Sequence, residues 1–309
     1  MKDIKGIIVP LLTPIRADET PDLSQMKRLT EYVLDGGVDA LFVNGTSGEF
    51  ARFTVGERFA LVEATVGAAR GRAPVITGIS DCGSRMVAEN AKRALDSGAE
   101  AVVTTLPYYF PMRSATEQRL FIEHVLDRSK LPVLLYNIPV VVGCSIDPEV
   151  LETLAGHPNL YGIKDTGGDI AYLSMLIRRF SDRMRVYVGD ERLSLDGMRL
   201  GASGLVPSLA NAFPRLLSQM WHAFSCGDEA TCLWCRDVMN RMNNALNAFS
   251  DSWMSPNIWR KEALRQMGVI DATFTSPSSP MSDADKAIVS AFVDLYQTRY
   301  CLKEDGGIP

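Results

Sequence analysis

The sequence predicts an α/β fold, a (β/α)8 TIM barrel followed by a helical C-terminal extension. Three observations carry this. Short apolar runs rich in Val, Ile and Leu recur over 6–12, 40–44, 74–78, 101–105, 133–137, 161–164, 186–189 and 204–207. They show little alternation, as strands buried on both faces of a parallel sheet do. Amphipathic segments separate them, so each strand is followed by a helix. No Gly-x-Gly-x-x-Gly turn follows the first run, which disfavours an open doubly wound sheet.

The helices carry their own signals. Asp22-x-x-Gln25, Thr54-x-x-Glu57 and Ser114-x-x-Glu117 have capping-box spacing, in which two side chains satisfy the free N–H groups of a helix start. Asp147-Pro148 pairs an N-cap with a proline at the first helical position. Gly36-Gly37 and Gly98 fall where helices end. A barrel of this kind takes about 250 residues, and here the eighth unit closes near Cys226. That assigns 1–226 to a barrel carrying the active site and 227–309 to an extension packed on it. The extension is helical in pattern over 229–249, 256–267 and 282–300, with a Ser/Pro-rich joint at 276–280. The tail over 303–309 is expected to be loose.

Composition excludes several classes. A net charge of −5 over 309 residues argues against nucleic acid as a partner. No run approaches the roughly 20 apolar residues of a membrane span. The first residues lack the apolar stretch of a signal peptide, so a cytoplasmic protein with reduced thiols is expected. Cys232-x-x-Cys235 has metal or redox spacing, but it lies in a helical stretch with no second pair and no nearby histidine, and it reads as packing. His124, His157 and His222 are far apart, so no metal site is expected.

Active sites in this fold lie at the C-terminal ends of the strands. The run Leu160-Tyr161-Gly162-Ile163-Lys164-Asp165-Thr166 is an apolar strand that ends in a lysine and breaks. Such a lysine either snorkels to water or is buried. Burial favours its neutral, nucleophilic form and suggests a Schiff base with a keto substrate. Strand 2 opens into Gly45-Thr46-Ser47-Gly48-Glu49-Phe50, which is either an anion cradle suited to a carboxylate or a plain turn. Strand 5 ends at Tyr136-Asn137-Ile138-Pro139, where the tyrosine is either a proton relay or a core aromatic. Strand 4 leads into Pro107-Tyr108-Tyr109-Phe110-Pro111, a Pro-bounded loop that reads as a site or an interface. Strand 7 leads into Gly189-Asp190-Glu191, whose acids either hold sugar hydroxyls or start a helix. A lysine, a tyrosine and an anion turn without a metal set favour metal-independent keto-acid chemistry over phosphate chemistry.

In order and spacing, these motifs resemble those of the pyruvate-dependent class I aldolases. That superfamily includes dihydrodipicolinate synthase, N-acetylneuraminate lyase and the 2-keto-3-deoxy sugar acid aldolases. The resemblance covers essentially the whole chain. It implies that Lys164 forms the Schiff base with pyruvate or another 2-keto acid and that Tyr136 shuttles protons. It implies that Thr46 and Ser47 bind the substrate carboxylate, that Thr46 also links the tyrosine relay, and that Gly189 and Val206 line the pyruvate pocket. Tyr109 matches the tyrosine donated into a neighbouring subunit's site, so at least a dimer is implied, and a homotetramer built as a dimer of dimers is common. No cofactor beyond the covalent intermediate is implied.

Two positions depart from relatives. Dihydrodipicolinate synthases usually carry an arginine two residues after the proline of the Tyr-Asn-x-Pro motif, where Val141 stands here. Without that clamp for a carboxylate, aspartate semialdehyde is a poorer fit as acceptor. N-acetylneuraminate lyases usually have an aromatic residue after the lysine, where Asp165 stands here. The Lys164-Asp165-Thr166 run and the Tyr108-Tyr109-Phe110-Pro111 loop look more like those of the 2-keto-3-deoxy sugar acid aldolases, and this resemblance implies aldol cleavage or formation of such an acid. Val141, Thr166, Asp190, Glu191 and Ser208 are the candidates for contacting the aldehyde portion. The alternatives are dihydrodipicolinate synthase activity, a Schiff-base dehydratase, and a non-catalytic barrel that binds keto acids.

Overall fold

In the computed structural model, which describes residues 3–247, 249, 254–271 and 278–300, eight parallel strands close into one barrel in chain order. They are β1 (Gly6–Pro10), β2 (Ala40–Val43), β3 (Val75–Gly78), β4 (Ala101–Thr105), β5 (Val133–Asn137), β6 (Leu160–Asp165), β7 (Arg185–Val188) and β8 (Gly204–Leu205). Every predicted strand is present, and nearly all strand residues are buried, as a core filled from inside and covered by helices requires. The shortest strand, β8, pairs Gly204 with Gly6 of β1 to close the barrel. A Cβ on Gly204 would lie 2.4 Å from the Gly6 carbonyl oxygen, so glycine is what lets the two backbones meet.

The helices around the barrel are α1 (Leu23–Asp35), α2 (Val55–Ala69), α3 (Ser84–Asp96), α4 (Ala115–Arg128), α5 (Pro139–Val142), α6 (Pro148–Leu154), α7 (Ile170–Phe180), α8 (Ser194–Leu200) and α9 (Pro214–Ser225). Thr54 and Glu57 form the full capping box of α2. Asp147 caps α6 through the Glu149 N–H, with Pro148 opening the helix. Two expectations are corrected. Asp22 caps α1 by accepting from Ser24 and Gln25, but Gln25 reaches back to the Asp22 side chain instead of its backbone. Ser114 makes no side-chain cap at α4, which starts without that bond. The four-residue α5 was not expected.

The extension supplies α10 (Glu229–Leu246), α11 (Ser255–Gln266) and α12 (Asp283–Arg299). The tail at 303–309 lies outside the described residues, as does part of the joint at 276–280. Cys232 and Cys235 are buried free thiols on α10, and the Cys232 thiol faces the Met220 carbonyl of α9, so the pair packs helices together. Among the described residues no group of three or more His, Cys, Asp or Glu is arranged to hold a metal ion. Among the same residues, no helix is long and apolar enough to cross a membrane.

Apolar contact and ion pairs both seat the extension. Trp259 of α11 is fully buried, and Tyr296 of α12 meets Phe213 edge to face at 5.0 Å. Next to Trp259, the Lys261 ammonium donates to Glu49 Oε1 at 2.7 Å, and both groups are buried. Burial pushes the Lys261 pKa down, and the Glu49 carboxylate opposes that. Removing one partner of a buried pair leaves the other charge uncompensated. Lys261→Met is therefore expected to lower stability by about 3 kcal/mol, read as a lower urea midpoint with an unchanged slope.

Candidate active site

Lys164 is buried at the C-terminal end of β6, with 4% of its surface exposed. In the parallel register it stands opposite Tyr136 of β5. Its Nζ lies 3.9 Å from the Tyr136 ring centroid and 5.6 Å from that of Phe42 on β2. Among the described residues it forms no salt bridge. The amine thus rests against aromatic faces. For the Tyr136 hydroxyl, burial pushes the pKa up, but the charge of Lys164 and the neighbouring Lys164, Thr46 and Thr166 side chains outweigh burial and hold it below the usual tyrosine value.

Three neighbours fix this pair. Asn137, next to Tyr136, donates to Asp165 Oδ1 at 2.7 Å, so the ends of β5 and β6 are tied by the residues that follow the two reactive ones. Burial pushes the Asp165 carboxyl up in spite of that bond. Gly189 closes the third side. A Cβ there would lie 2.0 Å from Thr166 Oγ1 and 2.7 Å from Lys164 Cε, so the lysine shaft occupies the space a side chain needs. The turn that carries Thr46 and Ser47 is bracketed by two non-glycine residues in the left-handed region, Asn44 (φ 57°) and Glu49 (φ 58°). The Asn44 amide donates to the Arg58 carbonyl, the Thr13 hydroxyl donates to the Gly48 carbonyl, and the Glu49 N–H donates to the Thr46 carbonyl. Such strain persists where surrounding bonds over-determine it, as they do here.

The site opens into a cavity of about 710 Å³. All the residues nominated from sequence line it except Tyr109 and Val141. Tyr109 is 72% exposed, in the loop after β4, and Val141 sits part-exposed on α5. Val141 does not line this cavity. The oxygens of the acidic pair already have partners within the chain. Asp190 accepts two bonds from the Arg192 guanidinium. Glu191 accepts from Ser208 Oγ, the Leu209 N–H, Asn243 Nδ2 and Arg260 Nη2.

The barrel does not form the cavity alone, and the extension supplies part of its wall. Asn240, Asn243, Asn244 and Asn247 of α10 and its C-terminal turn line it, as do Asn257 and Arg260 of α11. Asn257 Nδ2 donates to the Ser47 carbonyl at 3.0 Å, reaching the turn of the anion cradle. The spacing i, i+3, i+4, i+7 of the four asparagines was visible in the sequence as one polar helix face.

The chain matches the profile of the Dihydrodipicolinate synthetase family over residues 3–295. It belongs to that family. A relative named 4-hydroxy-tetrahydrodipicolinate synthase from Sorangium cellulosum is 32% identical over 302 residues, spanning 96% of this chain and 97% of the relative. The dihydrodipicolinate synthase structure from Bacteroides thetaiotaomicron superposes with a TM-score of 0.89 at 29% identity, covering 94% of this chain and 98% of that one. A prophage protein of the same family from E. coli K12, solved with pyruvate, gives a TM-score of 0.88 at 26% identity, covering 95% and 98%.

Enzymes of the dihydrodipicolinate synthetase family are pyruvate-dependent class I aldolases and lyases that work through a lysine Schiff base without a metal or external cofactor. The packing of Gly189 against the Lys164 shaft gives a direct test on this member. Gly189→Ala is expected to fold but to lower the rate of borohydride-trapped pyruvate adduct formation by about 100-fold, the cost of displacing a reacting group by roughly 1 Å. Adduct mass against time measures it.

Proposed function

We propose that this chain is an aldolase that cleaves or forms a 2-keto-3-deoxy sugar acid, with pyruvate as donor and a neutral, hydroxylated aldehyde as acceptor. In this reading the Lys164 amine attacks the pyruvate keto carbon, and the carbinolamine loses water with a proton relayed by Tyr136. Thr46 and Ser47 hold the carboxylate, and Thr46 also bears on the Tyr136 hydroxyl. The resulting imine accepts electron density, so the adjacent methyl carbon loses a proton and attacks the aldehyde. Cleavage runs the same steps backwards. Gly189 and Val206 bound the pyruvate end, while Thr166 and Ser208 stand toward the acceptor.

The observation that carries the choice of acceptor is charge balance. Each cavity-lining guanidinium is paired with a cavity-lining carboxylate, Arg192 with Asp190 and Arg260 with Glu191. The rest of the acceptor wall is neutral amide and hydroxyl. A carboxylate on the acceptor meets no spare cation there, whereas hydroxyls meet many partners. A second reading, condensation of pyruvate with aspartate semialdehyde, draws on the names of the relatives at 30–32% identity.

Tyr109 and Phe110 support a role in assembly. They are 72% and 68% exposed and stack edge to face at 4.8 Å, a pair of aromatic rings held out from the barrel mouth. We assign Tyr109 to the site of a second copy, in a dimer that pairs into a tetramer. Full activity in a protein that sediments as a monomer at assay concentration overturns this assignment.

The acceptor is tested by incubating the protein with pyruvate and each of glycolaldehyde, glyceraldehyde and aspartate semialdehyde, with borohydride trapping as the control for Lys164. The expected result is a pyruvate adduct on Lys164 and a kcat/KM for glyceraldehyde at least about tenfold above that for aspartate semialdehyde, the equivalent of one unpaired buried charge contact. The reverse order establishes the second reading.

A further inference from the structure

We propose that Asn240 and Asn244 of α10 form the acceptor-recognition subsite, binding the hydroxyls of the aldehyde chain from the C-terminal extension. The inference rests on the sugar-acid reading and adds the residues that select the substrate.

The four asparagines of the α10 face divide by what their amides do. Asn243 is part of the frame, since it donates to Glu191 and accepts from Arg260. Asn247 is also part of the frame, since its carbonyl accepts from the Trp259 indole N–H at 2.8 Å. Asn240 and Asn244 line the same cavity, and among the described residues their amides make no hydrogen bond. Asparagine is a poor helix former, so four on one face of a helix need a reason beyond local structure. The frame pair has one in Glu191 and Trp259. For the other two, the cavity supplies it.

Arg260 adds a second observation. It is 2% exposed, and only its Nη2 is hydrogen-bonded; Nε and Nη1 are buried with no partner. Buried donors are rarely left unpaired, so this guanidinium is held by its charge partner and by packing. Arg260 stands beside Asn243 on this wall, with its charge already balanced by Glu191. The ligand that suits two free amides beside a charge-balanced guanidinium is a neutral chain of hydroxyls, each of which both donates and accepts. A carboxylate partners the N–H groups but offers nothing to the amide oxygens.

The test uses the full-length double variant Asn240→Ala/Asn244→Ala, with glyceraldehyde and acetaldehyde as acceptors and pyruvate as donor. The readout is the ratio of the two kcat/KM values, which a general loss of folding or of Lys164 reactivity leaves unmoved. Borohydride trapping of pyruvate and the melting temperature report on the fold separately. The expected result is a fall in the glyceraldehyde-to-acetaldehyde ratio of about fivefold or more, as for the loss of one or two neutral hydrogen bonds. An unchanged ratio, with wild-type protein that does use glyceraldehyde, overturns the subsite and leaves the sugar-acid reading standing. Wild-type protein that turns over only aspartate semialdehyde overturns both.

Discussion

Two buried carboxylates hold the mouth of this barrel together. Glu49 follows the anion turn after β2, and Glu191 follows β7. Adjacent residues of α11, Lys261 and Arg260, meet them. One turn of one helix therefore clamps two βα loops about a third of the way around the barrel from each other. Buried pairs of this kind contribute little net stability compared with apolar packing, but they tolerate only one arrangement. That intolerance suits a site whose reacting groups must stay within fractions of an ångström. The clamp also gives the extension a structural role: without it Glu191 loses Arg260, and Glu49 loses Lys261 and keeps Arg52.

Inside the clamp, the reactive pair needs far less machinery. Tyr136 and Lys164 are brought side by side by strand register, and Asn137 and Asp165 repeat the pairing one residue further on. The first pair faces the cavity and the second locks the strand ends. This is the alternation of a parallel sheet put to use, with consecutive positions on a strand serving opposite purposes. It gives the Lys-Asp sequence a structural reason that is independent of which aldehyde the enzyme takes. Asp165 thus reports on the construction of the site and carries no information on specificity.

The parts that were legible in the sequence follow the same logic. Strand positions could be read because strands buried on both faces are continuous apolar runs, and the site could be read because this fold puts it at the strand ends. Lys164, Tyr136, Thr46 and Ser47 became candidates by those two rules, while Gly189 and the role of each residue came from the family resemblance. Three things were not legible. The engagement of Glu191 depends on partners up to 69 residues away, at Asn243 and Arg260, and no local pattern contains that. Val141 was nominated by its place in a motif, and it does not line the cavity. The asparagine face of α10 was present as spacing, yet a polar helix stripe reads as a solvated surface until something is known to lie opposite it.

The division of labour between barrel and extension has a mechanistic consequence. The groups proposed to make and break the imine sit on strands, whose positions are fixed by the sheet, while those proposed to grip the acceptor sit on α10, outside the sheet. The link between the two sets runs through Glu191, which touches Ser208 and Leu209 on the β8 side and Asn243 and Arg260 on the extension side. A change of side chain at Asn240 or Asn244 touches neither that carboxylate nor Lys164. Changes at Asn243 or Arg260 act on Glu191 directly, and through Ser208 and Leu209 they reach the loop that follows the pyruvate-lining Val206. The same cavity wall thus holds two kinds of position: those where selectivity varies alone, and those where it is tied to the donor half of the reaction. The carboxylate of Glu191 marks the border between them.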